Sequence, residues 1–131
     1  MNLNDIVERY PIDIMEHAER VMNLVRPFGK NYMMVALLHD IIEDTYTTIG
    51  ELALVESSNI DFTIIDDIIA LTRKPNQTYF EYIDYIVTRG NKRAKIIKYY
   101  DILDHLNNKE TLKPSLEKRY LKAKELLEEV I

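Results

Sequence analysis

The sequence predicts an all-α fold, a helical bundle of about six to eight helices without coiled-coil character. Two observations carry this. Apolar residues recur with i, i+3, i+4 spacing along most of the chain. Punctuation is sparse, with three glycines and four prolines in 131 residues. The β-branched run Phe62 to Ile65 could read as a strand, but its flanks and spacing favour helix. With no internal repeat, low-complexity segment or long linker, the chain reads as a single domain over residues 1–131.

The elements follow in order. After Pro11 a stripe of Ile14, Val21, Leu24 and Val25 marks the first long helix. Met33, Met34, Ala36, Leu37, Leu38, Ile41 and Ile42 make a helix apolar nearly all round, hence a central one. Ile64, Ile65, Ile68, Ile69 and Leu71 form a third stripe, and Tyr79, Phe80, Tyr82, Ile83 and Ile86 a fourth. Ala94, Ile96, Ile97, Ile102, Leu103 and Leu106 follow Gly90. The last helix, after Pro114 and Ser115, is amphipathic and rich in Glu and Lys; Lys118 stands where a capping box would place an acid. Gly29, Gly50 and Gly90 fall between stripes as helix ends or connectors, and Pro11, Pro75 and Pro114 at element edges.

Composition narrows the function. Cysteine is absent, so disulfides and thiolate metal sites are excluded and any metal falls to His, Asp and Glu. No secretory apolar segment or long apolar run occurs, which reads as a soluble cytoplasmic protein with no membrane partner. The net charge of −5 argues against nucleic-acid binding, which relies on basic surface. A small anionic ligand would need a local basic patch or a bound cation.

The stretch "ALLHDIIEDT", Ala36 to Thr45, ends a strongly apolar helix in four titratable side chains. On a continuous helix His39 lies under Glu43 and Asp40 under Asp44, the two pairs about 100° apart around the axis. Such a group is either a helix leaving the core for water or part of a metal site. The other two histidines are His17, within the first stripe, and His105, four residues after Asp101 in "AKIIKYYDILDHLN". His39-Asp40 on the central helix, one His on the preceding helix and one Asp on the late helix would together give two imidazoles and two carboxylates, a mixed set suited to a divalent cation. Taken singly, His17 also reads as a core residue and Asp101 as a solvated one.

The order His17, His39-Asp40, Asp101 resembles that of the HD-domain metal-dependent phosphohydrolases. The extended His39-Asp40-Ile41-Ile42-Glu43-Asp44 looks like the HDxxED pattern of the RelA/SpoT-type alarmone hydrolase branch. "ALTRKP", "TYFEYI" and "AKIIKYYD" are similar to that branch's small stand-alone relatives, and the likeness runs over residues 12 to 108. The resemblance implies an HD-type helical bundle with His17, His39, Asp40 and Asp101 as metal ligands, usually of manganese, and Glu43 and Asp44 as the catalytic pair. It implies removal of the 3′-pyrophosphate from the guanosine alarmone (p)ppGpp, a small-molecule nucleotide substrate. Arg73, Lys74, Lys98 and His105 are the candidates for substrate binding. The alternatives are hydrolysis of another nucleotide, a nucleoside monophosphate or cyclic nucleotide, and a non-catalytic nucleotide-binding module. The chain departs from the pattern in three places. Ala18 follows His17 where Pro is usual, and His105 stands where many relatives place Asn. Met1 to Glu16 carry no His-x-Gly-Gln-type segment. No motif sets an oligomeric state.

Overall fold

Thr48, Asp61, Thr78 and Asn91 each fold a side-chain oxygen onto the backbone N–H three residues on, and each starts a helix. Such caps satisfy donors that a helix start leaves unpaired. At Asn2, Thr48 and Thr78 the bond is returned by Asp5, Glu51 and Glu81, completing capping boxes. In the computed structural model, which describes residues 1–56, 59–108, 110 and 112–131, the elements are α1 (Leu3–Val7), α2 (Ile12–Leu24), a 3₁₀ turn (Arg26–Phe28), α3 (Lys30–Leu38), α4 (Ile41–Asp44), α5 (Ile49–Ala53), α6 (Phe62–Ala70), α7 (Tyr79–Arg89), α8 (Lys92–Asn107) and α9 (Pro114–Glu128). No strand occurs among the described residues. With α3 and α4 taken as one interrupted course, this is the predicted all-α bundle of six to eight helices. The run Phe62 to Ile65 is helical, inside α6.

Central α3 packs against α2, α6 and α8. Its Val35, Ala36 and Leu38 are fully buried, as are Ala18 and Val21 of α2, Ile64 and Ile68 of α6, and Ile97 and Ile102 of α8. Some stripe residues fall short of the core: Leu24 and Phe80 are exposed, and Met33, Met34 and Leu37 are half-buried, so α3 is less enclosed than its composition predicts. The amphipathic α9 lies along α8 and α7 with Ala123 and Leu127 buried. One polar tie joins α6 to α8: buried Asp67 accepts from Asn91 Nδ2 at 2.6 Å and Arg93 Nε at 2.5 Å.

The glycines divide. Gly29 precedes α3 at φ 110°, a conformation that side chains resist. Gly90 ends α7, and a Cβ there would stand 2.5 Å from the Ile86 carbonyl oxygen. Gly50, predicted as a connector, lies inside α5, where a Cβ would meet Thr48 Oγ1 at an ordinary 3.8 Å. Its place follows from the Thr48 cap, which starts the helix two residues earlier.

Urea denaturation should separate these positions. Gly50→Ala is expected to stabilise the protein by about 0.5–1 kcal/mol, the usual gain of Ala over Gly within a helix. Gly90→Ala should destabilise it. Ile83→Ala, emptying a fully buried site, should cost about 2–5 kcal/mol.

Candidate metal centre

The sequence predicts one helix running through Ile42, but the helix breaks at His39-Asp40. In a continuous helix the carbonyls of Ala36 and Leu37 would accept from the amides of Asp40 and Ile41. Here the Ala36 carbonyl accepts from His39 Nδ1 at 2.5 Å, and that of Leu37 from the Tyr10 hydroxyl at 2.8 Å. Asp40 sits at φ −102°, ψ 3°, and the course resumes as α4. The break replaces the simple stacking of His39 under Glu43: His39 turns into the core at 1% exposure, while Glu43 and Asp44 stay at the surface.

The same hydrogen bond sets the tautomer of His39. A carbonyl only accepts, so Nδ1 carries the proton and Nε2 turns inward with its lone pair. His17 on α2 is held alike. Its Nδ1 lies 2.6 Å from Asp104 Oδ2, and Arg20 Nε anchors that carboxylate at 2.9 Å. Both Nε2 atoms then meet the carboxylates. His17 Nε2 is 2.6 Å from Asp101 Oδ1 and 3.9 Å from Asp40 Oδ2. His39 Nε2 is 3.2 Å from Asp101 Oδ1 and 3.1 Å from Asp40 Oδ2.

One atom from each of these four residues thus lies within 4.8 Å of the others, and the group could hold a metal ion. The spacing suits one. A cation about 2.1 Å from each ligand sets neighbouring ligands about 3.0 Å apart in an octahedron and about 3.4 Å apart in a tetrahedron. The donor chemistry agrees, since four lone pairs converging in a buried site repel one another without positive charge between them.

The titration behaviour reflects that repulsion. Burial disfavours a charged imidazole, yet the carboxylates of Asp101 and, for His39, Asp40 outweigh it and raise both histidines above 6.5. Burial likewise opposes charge on Asp101 and Asp40, but Lys98 and His39 for the first, and His39 for the second, hold them below 3.8. Lys98 lies under 9% exposed with its Nζ 2.7 Å from Asp101 Oδ2 and 4.9 Å above the Tyr82 ring. Burial works against its charge, and the Asp101 partner keeps it protonated.

A cavity of about 660 Å³ opens over the group. Glu43 and Asp44 are on its wall. The Arg73 backbone N–H donates to Glu43 Oε1. Burial raises both carboxyls, Asp44 to about 6 with help from the Asp40 charge. Among the predicted substrate contacts, Arg73, Lys98 and His105 line the cavity. Lys74 is not in the lining and stands over the Tyr85 ring at 5.4 Å. His105 is stacked between His17 at 4.3 Å and Tyr120 at 4.9 Å, its Nε2 3.4 Å from Asp101 Oδ1.

Sequence reasoning missed Asp104 and Arg20, although each lies three residues from a ligand and so shares its helix face. It also missed Tyr79, Arg119 and Tyr120 on the cavity wall. The last two come from α9, beyond the stretch that carried the resemblance.

Metal analysis tests the centre. Asp40→Ala should abolish manganese binding in a folded protein, and metal retention would show that the ligands lie elsewhere. Asp104→Asn should weaken manganese affinity by about 10–100-fold through the loosened His17 ring. Asp101→Ala should also destabilise the fold by about 3–5 kcal/mol, because it strands the Lys98 ammonium.

Stability against pH gives a second check on chelator-stripped protein. His17 and His39, raised above 6.5, contribute stability that is fully present below pH 6.5 and lost as pH climbs through their folded values. Asp40 and Asp101, lowered below 3.8, contribute stability that is present above pH 3.8 and lost as pH falls through theirs. Thermal melting of the stripped protein should therefore weaken as pH rises above 6.5, and manganese should restore it, since deprotonated imidazoles bind metal. A melting temperature indifferent to pH in that range would count against this account. No protein-family model matches the chain, and no curated protein matches it either.

Proposed function

We propose that the protein is a metal-dependent phosphohydrolase of the HD-domain kind, acting on a nucleotide phosphate ester or pyrophosphate. The observation that carries the reading is the group of His17, His39, Asp40 and Asp101, which could hold a metal ion, with the carboxyls of Glu43 and Asp44 on the cavity wall beside it. The mixed nitrogen and oxygen donors suit manganese. Within the class, 3′-pyrophosphate removal from (p)ppGpp is the leading substrate reading, by the resemblance of the HDxxED segment.

Bound at the four ligands, a divalent cation supplies Lewis acidity toward a phosphoryl oxygen and lowers the pKa of water. The remaining work falls to the chain. Asp44, on the cavity wall four residues after Asp40, is suited to take the proton that hydrolysis releases. Glu43 is fixed beside it by the Arg73 amide. The Arg73 guanidinium, anchored through Nε to the Gln77 carbonyl at 2.9 Å, keeps its terminal N–H groups for phosphoryl oxygens. Lys98 holds Asp101 ionised as a ligand.

Phosphate and pyrophosphate release from a nucleotide panel with added manganese tests this. Pyrophosphate release from the alarmone is expected. Cleavage of nucleoside monophosphates or cyclic nucleotides with the alarmone intact would keep the class and change the substrate, and tight nucleotide binding without turnover would make the protein a binding module. Glu43→Gln should retain metal and lower turnover by about 10²-fold or more; unchanged turnover would remove Glu43 from the mechanism.

A further inference from the structure

We propose that the α9 side of the cavity is an anion subsite, in which the Tyr79 hydroxyl and the Arg119 guanidinium hold a phosphoryl group other than the one that reaches the four ligands. The inference rests on reading the cavity as the site of a phosphorylated ligand.

Two unspent donors carry it. Tyr79, at the start of α7, is 9% exposed and lines the cavity, and its hydroxyl is a buried side-chain atom with no hydrogen-bond partner among the described residues. Leaving a buried hydroxyl unpaired is costly, so such a group in a native structure is ordinarily met by water, an ion or a ligand. Other buried tyrosines are satisfied: Tyr82, one turn on, donates to the Leu71 carbonyl at 2.7 Å, and Tyr10 to that of Leu37 at 2.8 Å. Burial pushes the Tyr79 phenol up to about 12, so the proton stays and the group donates.

Arg119 is half-buried with its guanidinium 4.6 Å over the Tyr79 ring. Among the described residues it makes no hydrogen bond or ion pair, whereas Arg9, Arg20 and Arg93 are each paired with a carboxylate. The guanidinium only donates and carries charge, so with a hydroxyl proton beside it the pair favours a negatively charged acceptor, and the guanidinium fork matches phosphoryl oxygens. On α2 the same cavity presents Asp13 and Glu16, which repel such a group. A ligand with two phosphoryl groups would use both the four-ligand centre and this pair.

Calorimetric titration of manganese-loaded protein with GDP and with guanosine tests the subsite. Wild type should bind GDP at least about tenfold more tightly than guanosine. Tyr79→Phe and Arg119→Gln should each weaken GDP binding about tenfold, the scale of one lost bond to a charged group, and leave guanosine binding unchanged. Tyr79→Phe should melt no lower than wild type, since the hydroxyl it removes has no internal partner. Equal affinity of wild type for GDP and guanosine, unchanged GDP binding in either variant, or a lowered melting temperature in Tyr79→Phe would overturn the proposal. Neither titration requires turnover. A protein that hydrolyses nothing yet shows this pattern keeps the subsite and loses the phosphohydrolase reading. One that cleaves the alarmone while both variants bind GDP as wild type does keeps the enzyme and loses the subsite.

Discussion

Four electron pairs brought together in a buried place define this protein. Two imidazole nitrogens and two carboxylate oxygens face one another at hydrogen-bond range, and their hydrogens are spoken for on the outer side. Protons can supply the missing positive charge, and the carboxylates accordingly raise both histidines, but a divalent ion would supply it by accepting all four lone pairs at once. Much of the surrounding structure serves that convergence. Asp104 and Arg20 fix one ring, the Ala36 carbonyl fixes the other, and Lys98 balances the carboxylate that both rings approach.

The helices are arranged to the same end. His17 arrives on α2 and Asp101 on α8, both packed against α3, whose broken end delivers His39 and Asp40. Breaking a helix normally leaves carbonyls unpaired inside the protein, a serious cost. Here His39, a member of the candidate metal group, caps one of them itself and Tyr10 caps the next. The break is therefore a stable feature of the fold, and it reorients His39 away from the face that Glu43 and Asp44 occupy.

Much of this is legible in the chain. The helical stripes place α2, α3, α6, α7 and α8 because their buried faces repeat at the helical period, and the candidate metal group consists of polar residues that interrupt those faces. The interruption of α3 is not legible, since periodicity records which face a residue shares and says nothing of a carbonyl taken by Tyr10 from 27 positions away. Gly50 misleads for a local reason: glycine marks an end only where a cap does not already define a start. The contribution of α9 stays hidden because amphipathic spacing reveals that a helix has a buried side without revealing what lies beneath it. Lys74 and Arg73 are adjacent in sequence and separate in space for the same reason, one facing Tyr85 and the other the cavity.

The position of α9 has a consequence for how such a protein can diversify. The four residues that could hold a metal and the two acidic neighbours all come from α2, the α3–α4 course and α8, while Arg119 and Tyr120 come from a helix that contributes none of them. Replacing Arg119 would therefore change the charge of the cavity wall without touching the four residues beneath, whereas replacing Tyr120 would reach them through the His105 ring that stacks on His17.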